Sequence, residues 1–390
     1  MAEKKRFDSP IYSDISDDED SSVSGFCTPV KNACTAHVKL IQEFGKRPLI
    51  VAAREGCYKV VKMILEADGI EVNETDDNGN TPLIWASFKG HYRIVKLLLE
   101  TEGIQVNQNN IFSITPLIFA ATNGHEKIVQ MLLKTKGIQV NTTYNKGNTA
   151  LIWAACWGHA KIAEMLLETG VEVNQANENG TTPLYFAAMR GHVKIVELLL
   201  KRKGINVNNT AHKGIPPLLI AAQQGHDEVV KVLMEADGIE INKTDDDGIT
   251  PLMWASARGH HKIVKMLLET EGIQVNKQQI QGATALYFAA KNGHPKVVES
   301  LLKRDDIQVN EALIGGTTPL LIAADFGHVN VVKVLLKKEG IEVNVQNLAG
   351  VTPIAVAADR RHGKIVDLLL GTEEIRAIGW DGWRPIATAG

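Results

Sequence analysis

The sequence predicts an all-α solenoid of paired antiparallel helices joined by short β-hairpin-like fingers. Three observations predict it. A Thr-Pro-Leu tripeptide, or a near copy, recurs with its first residue at 81, 115, 149, 182, 216, 250, 284, 318 and 352, at gaps of 34 or 33 residues. Arg47-Pro48-Leu49 stands 34 residues ahead of the first, which makes ten repeats. Each repeat holds two short stretches of helical apolar period, and a unit of that size buries its apolar face only by stacking on neighbours. The whole chain has 390 residues, 44% hydrophobic and 22% charged, a globular composition on a chain too long for one ordinary core.

The elements follow in order within Gly79–Asn107. Thr81 is an N-cap, and Pro82 takes the first helical position, where a missing N–H costs nothing. A short helix from Leu83 to about Lys89 follows, and Gly90 permits a tight turn. A second helix runs from about Tyr92 to Thr101, with Ile94, Val95, Leu97, Leu98 and Leu99 forming a broad apolar face. Gly103 ends it, and Ile104 and Val106 alternate with polar residues as an extended finger does.

This pattern resembles the ankyrin-repeat family, whose signature is a β-turn and two helices with a Thr-Pro-Leu-His-x-Ala motif. The resemblance covers residues 47–375. It departs from the family in specific places. Most repeats carry one extra residue between the second helix and the finger, as at Glu102-Gly103-Ile104. The family's first-helix histidine is replaced throughout, for example by Ile84, Ile118, Ile152 and Tyr185. Ser113 replaces a finger glycine, Pro216 a capping threonine and Arg361 an inter-helix glycine, so those repeats are expected to be less regular.

The flanks differ. Residues 1–30 hold seven acids and three bases, a net charge of −4, against −3 for the whole chain. Residues 1–34 are too polar to offset their ordering entropy and read as a disordered acidic tail. Residues 35–46 read as an N-terminal capping helix. Residues 376–390 contain Asp381-Gly382-Trp383-Arg384-Pro385, which looks like an eleventh repeat's opening. It is either a C-terminal cap or the start of a longer natural chain. Ser9 and Thr28, each followed by proline, and Ser16 before acidic residues read as phosphorylation sites.

Catalytic and cofactor chemistry is not expected. Nine of the twelve histidines occupy one repeat position, from His91 to His362, a full repeat apart and too far to share a metal. They read as structural, bracing the inter-helix turn. Asp245-Asp246-Asp247-Gly248 has no twelfth-position glutamate of a calcium loop, and there is no phosphate loop, HExxH or GxSxG. Trp85, Phe119, Trp153, Phe186, Trp254 and Phe288 share one first-helix position and read as packing between repeats rather than a base-stacking stripe. The N-terminus is no secretory signal and no apolar run reaches the roughly 18 residues of a membrane span. The four cysteines, Cys27, Cys34, Cys57 and Cys156, form no CxxC pair and suit an intracellular protein. Neither nucleic acid nor membrane is an expected partner of so nearly neutral a chain.

The expected function is that of a monomeric, cytoplasmic or nuclear scaffold or adaptor binding another protein along the concave face. In the family the resemblance points to, the freely changing positions are the finger tips and the end of the first helix. Here these give Phe88, Ile111, Phe112, Ile114, Cys156 and Trp157 in repeats two to four. Repeats eight to ten give Ile280, Leu313, Ile314, Phe326 and Leu348. Apolar residues grouped on tips mark a binding surface; the alternative at Ile111–Ile114 is a tip folded back on repeat two, and at repeats eight to ten a cover of Trp380 and Trp383. The resemblance also implies asparagine hydroxylation at Asn73 and Asn174, each in a leucine-led acidic-Val-Asn pattern. A second reading makes the chain part of a larger protein whose C-terminal region is enzymatic or recruits a ubiquitin ligase.

Overall fold

The computed structural model describes residues 47–378. The chain divides into two compact bodies, Met1–Gln105 and Val106–Gly390. The acidic segment with Ser9, Ser16 and Thr28, residues 35–46 where a capping helix is expected, and the segment with Trp380 and Trp383 lie outside the described residues.

In the first body, repeat one is the helix pair Pro48–Arg54 and Tyr58–Leu65, and repeat two is Pro82–Lys89 and Tyr92–Leu99. The second body holds repeats three to ten, from Pro116–Thr122 with Glu126–Lys134 to Pro353–Asp359 with Gly363–Leu370. Among the described residues the fingers form no strand, only the isolated bridges Tyr144–Asn148 and Ala211–Ile215.

Local chemistry sets each helix start. The Thr81 hydroxyl accepts the Ile84 N–H at 3.1 Å, and the same bond recurs from Thr115 to Thr352. Within each body, first helices pack on first helices and second helices on second helices of the next repeat. A first helix is therefore covered on two sides. Ile152, Ala154 and Ala155 are all fully buried, and the alanines let neighbouring backbones approach. A second helix buries one stripe, such as Ile162, Ala163 and Leu166.

Two side-chain ladders tie repeats together. His91 Nε2 lies 3.0 Å from the Arg54 carbonyl oxygen in the first body. In the second, His159, His192, His226, His260, His294, His328 and His362 make the same contact with the preceding repeat at 2.9–3.2 Å. A carbonyl only accepts, so Nε2 carries the proton. The histidines brace a turn as expected, but that of the preceding repeat. The second ladder is made by the finger asparagines. Asn174 Nδ2 donates to the Gly204 carbonyl at 2.7 Å, and its Oδ1 accepts the Asn206 N–H at 2.8 Å. Asn73, in the first body, makes the same pair of bonds to Gly103 and Gln105.

Burial holds the His192 pKa below its ordinary value, with the Arg190 charge adding to the effect against the hydrogen bond to Cys156. The unfolded chain then binds a proton at higher pH than the folded one. The stability His192 contributes is present above about pH 6.5 and is lost as pH falls from there through its folded-state pKa. The melting temperature is expected to fall between pH 7.5 and 5.5, and to fall less in a His192→Gln variant.

The three departures from the repeat pattern are more regular than expected. Ser113 and Arg361 adopt the left-handed backbone of the glycines they replace, at φ 64° and 62°. Pro216 keeps the extended capping geometry without a capping side chain. The irregularity is stored as strain instead of shape. Arg361→Gly is therefore expected to raise stability by about 1 kcal/mol, read as a higher urea midpoint. At the other end, the expected boundary at residue 375 is crossed by a short helix, Glu373–Ile378, whose Glu374 carboxylate accepts the Val343 N–H at 3.2 Å.

Candidate protein-interaction surface

The finger turn decides which side chains face out. The Asn110 Oδ1 accepts the N–H groups of Phe112 and Ile114, both at 3.0 Å. Asp76, Asn177, Asp245 and Asn347 pin their turns in the same way. The two residues after the pinning side chain project into solvent, and the chain then turns inward.

Ile111 and Phe112 are accordingly exposed, at 64% and 38%. Ile114 is only 5% exposed, which corrects its assignment to the surface: it follows the turn and points into the core. Because Ser113 keeps the glycine geometry, this turn has the form of the others. Trp157, at the end of the first helix of repeat four, is 46% exposed. Its neighbour Cys156 is instead buried beside Ile152 and Phe186, so it too leaves the surface set. Burial pushes the Cys156 thiol pKa up, opposed by Arg190. Phe88, in the first body, is half-buried, edge-on to Trp85 at 5.9 Å with the Lys89 ammonium 5.4 Å from its ring. Phe326 is exposed and stacks on His328 at 6.1 Å. Ile280, Ile314 and Leu348 are exposed, while Leu313 is half-buried.

The shared aromatic position works partly within each repeat. Trp85 Nε1 donates to the Asp76 carboxylate at 2.8 Å, and Trp254 Nε1 to Asp245 at 3.3 Å. In repeat four Tyr144 stands at the place of those aspartates. It stacks on Trp153 at 5.8 Å and leaves the buried indole N–H without an acceptor. Burial pushes the Tyr144 pKa up to about 12, with a smaller effect of Cys156. Phe186 packs across repeats, against Ile152 and Cys156.

Sequence reasoning missed the exposed Tyr58 and Tyr92, which begin the second helices of the first body. Arg93 lies over the Tyr92 ring at 6.0 Å and donates to its hydroxyl at 3.3 Å. A tyrosine at the first position of the second helix, where the other repeats carry Glu126, Ala160, Val193, Asp227, His261, Pro295, Val329 and Gly363, is the signal that was available. Among the described residues no group of histidine, cysteine and carboxylate side chains could hold a metal, and no helix is long and apolar enough to cross a membrane. A surface groove of about 460 Å³ beside Leu200, Arg202, Val232 and Asp237 is lined by no serine, cysteine or histidine.

A family model described as "Ankyrin repeats (3 copies)" matches residues 24–110, 102–177, 169–245, 218–313 and 308–378. Among solved structures, the chain is similar to the human ASB11 ankyrin repeat domain, at 28% identity and a TM-score of 0.52. That match covers 59% of this chain and 100% of that one. No curated protein matches the chain.

Proposed function

We propose, from the premise that this chain belongs to the ankyrin-repeat family, that it is a non-catalytic scaffold or adaptor working as a monomer inside the cell. Ankyrin repeats are protein–protein interaction modules, and this chain is read as binding a partner segment through its finger tips and first-helix ends. The observation that carries the reading is the exposure of Ile111, Phe112 and Trp157 on hydrogen-bonded, regular backbone. Such side chains leave large apolar surface in water where they stand and are the kind that dominate interface energetics. The buried Cys156, its thiol pKa raised, is poorly suited to be a nucleophile.

The test compares the full chain with a Phe112→Asp, Trp157→Ala double variant as baits in quantitative affinity capture. The variant is first shown to keep its helical signal and melting temperature, because both rings are partly covered. Direct partners should be lost at least about tenfold with the variant. Equal recovery of every partner by both baits would remove repeats three and four from the binding surface.

A further inference from the structure

Beyond the surface of repeats three and four, the finger tips of repeats four to ten form one continuous row. Glu178 N–H donates to the Lys146 carbonyl, His212 to Asn179 and Asp246 to Lys213, at 2.8–3.0 Å. Ile280 N–H then donates to Asp247, Ile314 to Gln281 and Leu348 to Gly315, at 3.0–3.2 Å. The tips are also in close backbone contact. A Cβ on Gly248, Gly282 or Gly316 would come within 3.0–3.3 Å of backbone atoms of the following finger. Residues at equivalent tip positions are therefore true neighbours along the row.

The chemistry along this row is ordered. His212 and Lys213 are exposed on finger six, and Asp246 and Asp247 on finger seven. Fingers eight, nine and ten then present Ile280, Ile314 and Leu348, at 67%, 74% and 83% exposure. A tip that only had to turn the chain would be polar, yet three successive tips carry a branched aliphatic at an exposed position. Three such residues in register make an apolar ridge, and the ridge begins against two carboxylates. The cations closest in sequence to these tips are engaged elsewhere: Lys243 pairs with Glu240, Lys277 donates to the Asn242 carbonyl at 3.1 Å, and Arg258 lies over its own Trp254 ring at 5.6 Å.

We propose that fingers seven to ten bind a short segment of another protein that is apolar along its length and carries a basic pair at the end facing Asp246 and Asp247. The assignment rests on the protein-binding reading above and names the partner's chemistry at a second place on the same body. Charge complementarity fixes the direction. The basic pair faces finger seven and the apolar residues lie over fingers eight to ten. Lys213, one finger further back, limits the acidic step to a single finger and excludes a long basic run.

The probe is a random peptide library of about twelve residues displayed on phage, panned on the immobilised full chain and on variants. Enriched peptides should combine aliphatic or aromatic residues with a Lys or Arg pair at one end. Their capture should fall at least about tenfold on Ile314→Asp. It should weaken on Asp246→Asn, Asp247→Asn and at high salt, which screens exposed charge. All three positions are exposed, and an unchanged melting temperature establishes that each variant is folded. Peptides held equally by Ile314→Asp but lost on Phe112→Asp, Trp157→Ala would overturn this assignment and leave the protein-binding function standing. Enriched peptides without basic residues would overturn it as well. Capture that emerges only in a Trp380→Ala, Trp383→Ala variant would give the ridge to the chain's own C-terminal residues. Ile314-dependent dimerisation in ultracentrifugation would give it to a second copy. No enrichment on any form overturns this proposal and removes support from the broader one.

Discussion

Replacing Gly225 by Ala is expected to destabilise the second body by about 2–4 kcal/mol, seen as a lower urea midpoint. Two effects add. Gly225 has φ 85°, in the left-handed region where a side chain costs about 1–2 kcal/mol. A Cβ there would also lie 2.5 Å from Cε1 and 2.9 Å from Nδ1 of His260. That ring does not swing away freely, because Nε2 is bound to the Gln223 carbonyl at 3.2 Å. Gly238 separates the two effects, since it has φ 74° but nothing within 4 Å of an added Cβ. Gly238→Ala should show the backbone cost alone, about 1–2 kcal/mol. Combining Gly225→Ala with His260→Ala should cost less than the sum of the two single changes, because the second relieves the clash of the first. Strict additivity would show that the ring contact contributes nothing.

This coupling shows what sequence carries and what it does not. The glycine and histidine columns are visible at repeat spacing, and with the Thr-Pro caps they suffice for the repeat boundaries and helix pairs. Periodicity says that a position is structural; it does not say what the side chain reaches. The partner of His260 lies 37 residues back, a backbone carbonyl that has no sequence signature. The proposed surface was half legible for a similar reason. Ile111 and Ile114 look alike in sequence, but the Asn110 turn sends the first outward and the second into the core. Cys156 and Trp157 are adjacent, yet a helix rotates by about 100° per residue, and one is buried while the other is exposed. A rule based on distance from a glycine counts along the chain and misses that rotation. Ser113 and Arg361 look like defects in sequence because a one-letter pattern records glycine's identity, whereas the fold requires only its positive φ.

Asn174→Ala is expected to cost about 1–3 kcal/mol, because it removes both partners of a bridge between successive fingers. The Gly204 carbonyl loses its donor and the Asn206 N–H its acceptor. Asn174 is half-buried, so water restores part of the loss and holds it below that of a fully buried pair. The isosteric Asn174→Asp separates the two bonds. A carboxylate still accepts the Asn206 N–H, but it sets a negative oxygen against the Gly204 carbonyl where an N–H stood. Its loss of stability should match or exceed that of alanine, through the opposite half of the bridge. Amide hydrogen exchange distinguishes them: Asn206 should lose protection in Asn174→Ala and keep it in Asn174→Asp, although the second is no more stable. The same pair of bonds recurs at Asn208 and Asn242 and at Asn276 and Asn310. Asn174→Ala and Asn310→Ala are four repeats apart with no shared partner, so their effects should add within about 0.5 kcal/mol. Asn174→Ala with Asn208→Ala act on consecutive fingers of one hydrogen-bonded row and should depart from additivity. Equal additivity in both pairs would mean that the bridges stabilise each repeat separately and do not couple neighbours along the stack.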